Sequence, residues 1–513
     1  MAPGAVKKVV ILGGGTAGWM TAAALIKAMP QTAIVLIESE EIGIIGVGEA
    51  TVPSISMFNA MLGLDVPDFM RACEATFKLG IQFVDWGRLG ARYMHPFTNF
   101  GADVTSPDFG PLWMRYALAH GEACPIDDYN LACVASAEGR FMLPRRGQAM
   151  AVGPLSYAFH FDAALYARYL RAYAEARGAV RIEGKAVAVG QDTDRGDITN
   201  VTLESGRVID GDYFVDCSGF QGVLIEQTLK AGYDDWSHWL PCDRAVAVPS
   251  ENMGPPAPFT RSTADAAGWR WRIPLQHRVG NGHVYASRFM DDGEAERRLL
   301  GGLEGPALAE PRQLRFVTGK RRRAWVGNCT AIGLSSGFLE PLESTSIYMI
   351  QTAILRLLGA LLHTGLGPDT VLALNRQADT EFENIRDFII LHYKRSVRDD
   401  SEFWRYCRDM DVPDAVAANM AMFATTGRVR IPKDHPFPMQ GWLAVMLGQG
   451  GLPDALDPAL PDMPLAELAR YVEESRQAVA AMVDTMPTQE AFLKLLLTPQ
   501  AGVLNVMSTA KVH

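Results

Sequence analysis

The chain is poor in the features that would place it outside the ordinary globular class. No CxxC pair occurs among its seven cysteines, Cys73, Cys124, Cys133, Cys217, Cys242, Cys329 and Cys407. Thiols scattered singly through 513 residues fit a reduced, cytoplasmic protein and argue against a disulfide framework or a structural metal site. Positive charge is in deficit: 48 Lys and Arg face 58 Asp and Glu, a net charge of -10. That balance excludes a general nucleic-acid binder, whose affinity rests on clustered cations. The one basic run, Lys320-Arg321-Arg322-Arg323, reads as a solvated turn ahead of a strand. Only Val9 to Ile26, behind Lys7-Lys8, is long and uncharged enough to suggest a membrane span or signal segment, and its glycine pattern favours a soluble unit. Low-complexity tracts and internal repeats are absent.

What is present is material for a large core, with 48% hydrophobic and 21% charged residues. A single core stops growing at roughly 250–300 residues, so this length implies two domains. Val9-Val10-Ile11-Leu12 reads as a buried strand, Thr16 to Met29 as an alanine-rich helix, and Ala33 to Glu38 as a second strand. Gly13-Gly14-Gly15-Thr16-Ala17-Gly18 joins the first two, and Glu38 lies 20 residues beyond Gly18. Glycines permit the tight turn and the approach of backbone to a pyrophosphate. The helix N-terminus favours its charge, and a carboxylate ending the second strand accepts from ribose hydroxyls. The pattern points to a dinucleotide.

Further along, Asp162 to Arg177 predicts a helix, Val180 to Val189 alternates like one strand, and Gly211 to Gly219 reads as another strand, so the nucleotide domain resumes after an insertion. Residues 241–325 are rich in β-formers and Pro and predict a sheet forming one wall of the site. From Thr345 onward, Ile347, Ile350, Ile354, Leu357, Leu358 and Leu361 keep helical spacing, and helical patterns continue to the end. Gly333-Leu334-Ser335-Ser336-Gly337 matches the hydrolase GxSxG pattern, which a chain opening on a dinucleotide fingerprint argues against. Lys78 stands among Phe77, Leu79 and Ile81, an apolar setting for a point charge with three donors; the plain alternative is an exposed helix lysine.

Choosing between NAD and FAD needs more residues. GGGTAGWM with Glu38, Gly46-Val47-Gly48-Glu49-Ala50-Thr51-Val52-Pro53-Ser54, Tyr157-Ala158-Phe159-His160-Phe161-Asp162, Asp216-Cys217-Ser218-Gly219-Phe220, Trp269-Arg270-Trp271-Arg272-Ile273-Pro274 and Gly337-Phe338-Leu339-Glu340-Pro341-Leu342-Glu343-Ser344-Thr345 together resemble the flavin-dependent tryptophan halogenases. The likeness runs to about residue 360. WxWxIP is its most specific element, backed by Lys78.

The resemblance implies an α/β fold: an FAD-binding Rossmann-like module of the flavin monooxygenase type with an inserted β-sheet, and a mainly helical C-terminal module. The first would span residues 1–350, discontinuously, and hold flavin and halide; the second, 351–513, would complete the substrate site. Reduced FAD (FADH2) and O2 would oxidise halide to hypohalous acid, which halogenates a separate electron-rich arene. The family match assigns the flavin to Gly13, Gly15, Thr16, Ala17, Gly18, Glu38, Ser39, Glu49, Ala50, Val187, Asp216, Leu334 and Ile347. It makes Lys78 and Glu343 catalytic. Lys78 would hydrogen-bond hypohalous acid or carry the halogen as a haloamine, and Glu343 would orient the electrophile or take the ring proton; the alternative for Glu343 is a helix-capping carboxylate.

Chloride or bromide would sit on the amides of Thr345 and Ser346 at a helix N-terminus, although the family pattern is Glu-Ser-Thr-Gly and this chain has Ser346. Trp269 and Trp271 would shield the flavin from organic substrate. His95 and Phe97 would line the arene site. Residues 427–442 lack the Tyr, Glu and Phe-Trp pattern with which the family grips the amino-acid part of tryptophan, which favours an indole without that group, or another electron-rich arene, over free tryptophan. With a single GxGxxG in the chain, a separate NAD(P)H-dependent flavin reductase would supply FADH2. The resemblance allows a homodimer. Its rivals are a flavin monooxygenase that hydroxylates an aromatic substrate and a non-catalytic FAD-binding redox sensor.

Overall fold

The computed structural model describes residues 6–41, 49–101, 109–121, 125–144 and 152–498. They fall into two interleaved units, one of residues 1–74, 161–241 and 315–383 and the other of 75–160, 242–314 and 384–513. The break expected at 350 falls inside helix Ser346–Gly359, which stays with the nucleotide-binding unit.

In the first unit a six-stranded sheet is ordered Trp325–Val326, Cys329–Ala331, Tyr213–Asp216, Lys8–Leu12, Ala33–Glu38, Val180–Glu183. All its pairs are parallel except the Trp325–Val326 edge. Parallel strands are covered on both faces, so they read as unbroken apolar runs; Val10, Leu12, Val35, Ile37 and Phe214 are buried in one cluster. Each such side chain stabilises the fold by roughly 1.5–3 kcal/mol. Helix Thr16–Ala28 follows the first strand. Alanine suits its interior, and Pro30 lies just past its end, where the preceding residue is pushed out of helical geometry.

The single strand expected over Val180–Val189 is two strands, Val180–Glu183 and Ala186–Gln191. Gly184 turns between them at φ +152°, which sends the second into a three-stranded meander with Ile198–Leu203 and Val208–Asp210. The basic run also departs from its reading as a solvated turn. Lys320 and Arg321 lie on the buried strand Gly319–Arg321, where Lys320 pairs with Asp379 at 2.5 Å and Asp234 at 3.4 Å and Arg321 with Glu226 at 2.9 Å. Only Arg322 and Arg323 are exposed. Helical residues Ser346–Thr364 are long and apolar enough to cross a membrane. Their apolar positions Ile347, Ile354, Leu357 and Leu361 are buried, as in a core helix.

The second unit is built on a sheet ordered Arg312–Arg315, Arg244–Ser250, Val279–Tyr285, Gly268–Pro274, Thr260–Asp265, Gly80–Val84, Arg92–Pro96. From Arg244–Ser250 to Arg92–Pro96 the pairs are antiparallel except Thr260–Asp265 with Gly80–Val84. Thr76–Lys78 forms a separate ribbon, pairing Thr76 with His160 and Lys78 with Ala158. Helices including Phe109–His120, Glu402–Asp409, Met439–Gly450 and Leu465–Asp484 complete the unit. Its aromatic core joins Trp86 to Trp269, Tyr393 and Trp404 at centroid distances of 6.4, 5.4 and 5.6 Å.

Candidate active site

In the first unit the glycine loop has the geometry a pyrophosphate requires. Gly13 has φ +116°, and a Cβ there would lie 2.1 Å from Cys217 O; a Cβ on Gly18 would lie 1.9 Å from Gly13 O. Gly15 is the N-cap of helix Thr16–Ala28, and its Cβ direction is open for 4 Å. The first amides of a helix have no intrahelical acceptor, so the loop presents Thr16, Ala17 and Gly18 N–H groups beside open space, which fits the phosphates of FAD. A Cβ on Gly14 would strike the Glu38 carboxylate, so Glu38 lies against the same loop. Glu38 accepts from Trp19 Nε1 at 3.3 Å and pairs with Arg181 and Arg171, and Ser39 follows it directly.

The turn Gly333–Ser335 packs onto this loop: a Cβ on Gly333 would lie 2.8 Å from Ala17 Cβ and 3.7 Å from Ile350. Leu334 and the helix carrying Ile347 are thereby brought to the nucleotide turn. Ser335, at the nucleophile position of the GxSxG match, is fully buried and donates to the carbonyls of Asp216 and Ile332, so it offers no nucleophile. The Asp216 carboxylate accepts from Ser218 N, Ser218 Oγ, Leu224 N and Ile225 N at 2.6–2.9 Å. It is committed to holding the strand-end turn, and burial raises its pKa against the pull of those bonds. Val187 is 61% exposed on strand Ala186–Gln191 of the meander. Gly46, Val47 and Gly48 lie outside the described residues. Glu49 and Ala50 form a short strand, and the Glu49 carboxyl is pushed up to about 7 by burial and, second, by the Asp162 charge.

Glu343 ends the tight turn Pro341–Glu343, Ser344 takes φ +61°, and Thr345 caps helix Ser346–Gly359. Glu343 and Thr345 are buried. The Thr345 hydroxyl makes no hydrogen bond among the described residues and no side chain caps the helix, so its leading amides and positive dipole end suit an anion.

In the second unit Lys78 is not on an exposed helix; it is 0% exposed on the Thr76–Lys78 ribbon, with Nζ 5.1 Å from the Phe97 ring centroid. Two residues away in the same ribbon, Thr76 Oγ1 donates to Pro274 O at 2.7 Å and is 3.1 Å from His160 Nδ1. Since the Thr76 proton goes to the carbonyl, His160 Nδ1 carries a hydrogen, and Nε2 accepts from Thr260 Oγ1 at 2.9 Å. Burial, then the Lys78 and Arg272 cations, holds the His160 pKa well below the usual histidine range.

Trp269 and Trp271 are both buried on strand Gly268–Pro274, 6.1 Å apart. Trp271 lies opposite Gly282, where a Cβ would come within 2.0 Å of its ring. His95 is buried against Phe388 at 5.4 Å and Phe437 at 6.1 Å; Phe388 and Phe437 stack at 4.1 Å. A Cβ on Gly441 would lie 2.5 Å from His95 Nε2. Phe388, Gly282 and the hydrogen bonds that join His160 to Thr76 and Thr260 surround the expected site residues and were not singled out in the sequence. The polar residue His160 set in the apolar strand Ala158–Phe161 is the one signal that could have pointed to those bonds.

Comparison with known proteins agrees with this geometry. The tryptophan halogenase family profile matches residues 8–464. Among similar proteins, the tryptophan 6-halogenase SttH of Streptomyces toxytricini is 36% identical over 94% of this chain and 97% of its own. The tryptophan 7-halogenase RebH of Lentzea aerocolonigenes is 34% identical over 96% and 99%. Among solved structures, a flavin-dependent halogenase from Xanthomonas campestris matches with TM-score 0.91 and 46% identity over 95% of this chain and 98% of that one. BrvH, a flavin-dependent halogenase from Brevundimonas sp. BAL3, matches with TM-score 0.91 and 44% identity over 96% and 99%. Matched by the profile over most of its length and by solved relatives over nearly all of it, the chain belongs to the tryptophan halogenase family and is a flavin-dependent halogenase.

Proposed function

We propose that this halogenase acts on an indole, or another electron-rich arene, that lacks the amino-acid group of free tryptophan. The observation that carries this reading is the wall around His95. Phe388, Phe437 and Gly441 pack against that ring and offer faces and edges for an aromatic substrate, but none carries a charge to pair with an ammonium or carboxylate.

Reduced FAD, supplied by a separate NAD(P)H-dependent flavin reductase, provides with O2 the oxidising power that turns chloride or bromide into hypohalous acid. The Gly13–Gly18 loop and Glu38 hold the dinucleotide, with Ser39, Glu49, Ala50 and the Leu334 turn. The amides of Thr345 and Ser346 hold the halide. Buried Trp269 and Trp271 keep rings as large as the substrate away from the cofactor. Lys78 donates hydrogen bonds to hypohalous acid or accepts the halogen on Nζ, and Glu343 takes the proton that leaves the ring carbon. His95 and Phe97 hold the arene. Six cysteines among the described residues are free thiols, in keeping with work in a reducing cytoplasm.

Mass spectrometry of indole, tryptophan and phenols incubated with FAD, a flavin reductase, NADH and chloride or bromide tests the reading. Halogenated indole is expected at a rate at least about tenfold above that of tryptophan, a difference of about 1.4 kcal/mol. Equal rates on the two would remove the substrate assignment, and hydroxylated product alone would favour the monooxygenase reaction.

A further inference from the structure

Two cations of the basic run, Lys320 and Arg321, are buried side by side on strand Gly319–Arg321, but their partners differ in kind. Lys320 pairs with the carboxylates of Asp379 and Asp234. Arg321 divides its fork between two other segments of the chain. Nε donates to Ser335 O at 3.1 Å and Nη1 to Glu226 Oε2 at 2.9 Å, while the backbone N–H donates to Ser336 O at 2.8 Å. Nη2 lies against Gly222, where a Cβ would come within 2.8 Å of it. A side chain at 222 would push the guanidinium off its acceptors.

These bonds close a ring. The Ser335 hydroxyl donates to Asp216 O, and the Asp216 carboxylate accepts from Leu224 N and Ile225 N, each at 2.8 Å. The next residue is Glu226, which returns to Arg321 and also accepts from Gly232 N at 2.9 Å. Three segments remote in sequence are thereby joined: residues 216–226, strand Gly319–Arg321 and the turn Gly333–Ser335. Two of them meet the nucleotide loop, Cys217 O against Gly13 and Gly333 against Ala17. A planar guanidinium fixes the angle between its two acceptors, which the point charge of a lysine does not.

We propose that Arg321 is a positioning residue for the flavin: its fork ties the Cys217 wall to the Gly333 wall and so sets the room between them for the dinucleotide at the Gly13–Gly18 loop. This role rests on the reading that the Leu334 turn holds FAD. Lys320, also buried and carrying the same charge, pairs outside the ring and has no such role.

Titration of FAD into the full-length protein, followed by flavin fluorescence and by visible circular dichroism of the bound flavin, tests this. Arg321→Met should weaken FAD binding at least about tenfold, the loss expected on removing one hydrogen bond from a charged group, and should change the dichroism at saturating FAD. Ser335→Ala, which opens the ring at an uncharged point, should weaken FAD to a similar extent. Combining the two should add little, because both break one network. Lys320→Met should lower Tm and leave affinity and dichroism at parent values.

Parent-like FAD affinity in Arg321→Met overturns the role of the fork, and so does an equal loss in Lys320→Met, which would mark a general loosening of the fold. Should Arg321→Met not fold, Ser335→Ala decides by the same measures. Leu334→Ala separates the two levels of the argument. Parent affinity in that variant removes the turn from the flavin site and the role of Arg321 with it, whereas a weakened Leu334→Ala beside unchanged Arg321→Met and Ser335→Ala removes the role of Arg321 alone.

Discussion

The nucleotide loop at Gly13–Gly18 and the aromatic walls around Trp271 and His95 both depend on glycine, but for different neighbours. In the loop the missing Cβ makes room for backbone: Gly13 faces Cys217 O and Gly18 faces Gly13 O. In the walls it makes room for rings: Gly282 seats the Trp271 indole and Gly441 seats His95. Backbone held in a parallel sheet has nowhere to go, whereas a ring can tilt at the expense of packing. A methyl added to the loop should therefore cost the fold and its cofactor, and a methyl added to a wall should cost selectivity.

The largest effect expected separates chemistry from both kinds of packing. Lys78→Met keeps the apolar stem and removes the charge; halogenation should fall by about 10³-fold or more, about 4 kcal/mol, with FAD affinity unchanged. A variant that keeps its rate in steady-state assays would remove Lys78 from the reaction. Gly13→Ala comes next. Its φ of +116° and the 2.1 Å contact predict a loss of about 2–4 kcal/mol, read as a lower Tm and release of FAD fluorescence. Parent-like melting with FAD retained would erase the contrast between loop and wall.

Gly282→Ala should cost less, about 1–3 kcal/mol, because a side chain rather than backbone must yield. FAD should stay bound while uncoupled peroxide formation rises relative to halogenated product; unchanged coupling would show that the Trp271 position is immaterial. The smallest effect concerns His160. Its folded pKa lies below the unfolded value near 6.5, so the unfolded chain binds the extra proton. This contribution is complete above about pH 6.5 and fades as pH falls toward the folded pKa, by at most about 1.4 kcal/mol per pH unit. Urea unfolding of His160→Asn beside the parent should show a shallower loss between pH 6.5 and 5; parallel curves would mean that the ring is already free to protonate.

Sequence reading succeeded where the determinants are close together. The first strand, helix and second strand lie where periodicity put them, and the patterns that carry the family resemblance, the Gly13–Gly18 loop and WxWxIP among them, are local ones. It failed where partners are remote. Lys320 and Arg321 look solvated until strand Gly319–Arg321 brings them to Asp379, Asp234 and Glu226. Phe388 meets His95 across 293 positions, and nothing in either neighbourhood announces the other. Gly184 divides a run whose alternation alone reads as continuous. That the nucleotide domain is interrupted and resumes was legible from the order of its strands, whereas the segment limits are set by remote contacts, since each unit gathers three segments.

The seating of Trp271 on Gly282 divides one feature between the two strands of a hairpin, only one of which carries the motif. A descendant with alanine at 282 would keep WxWxIP letter for letter and still be unable to hold its second indole in the same place. The identity of such a chain would have drifted while its most recognisable signature stayed intact, so surveys that count the motif and ignore the facing strand would sort it with its ancestors. Position 282 is the residue to read alongside it.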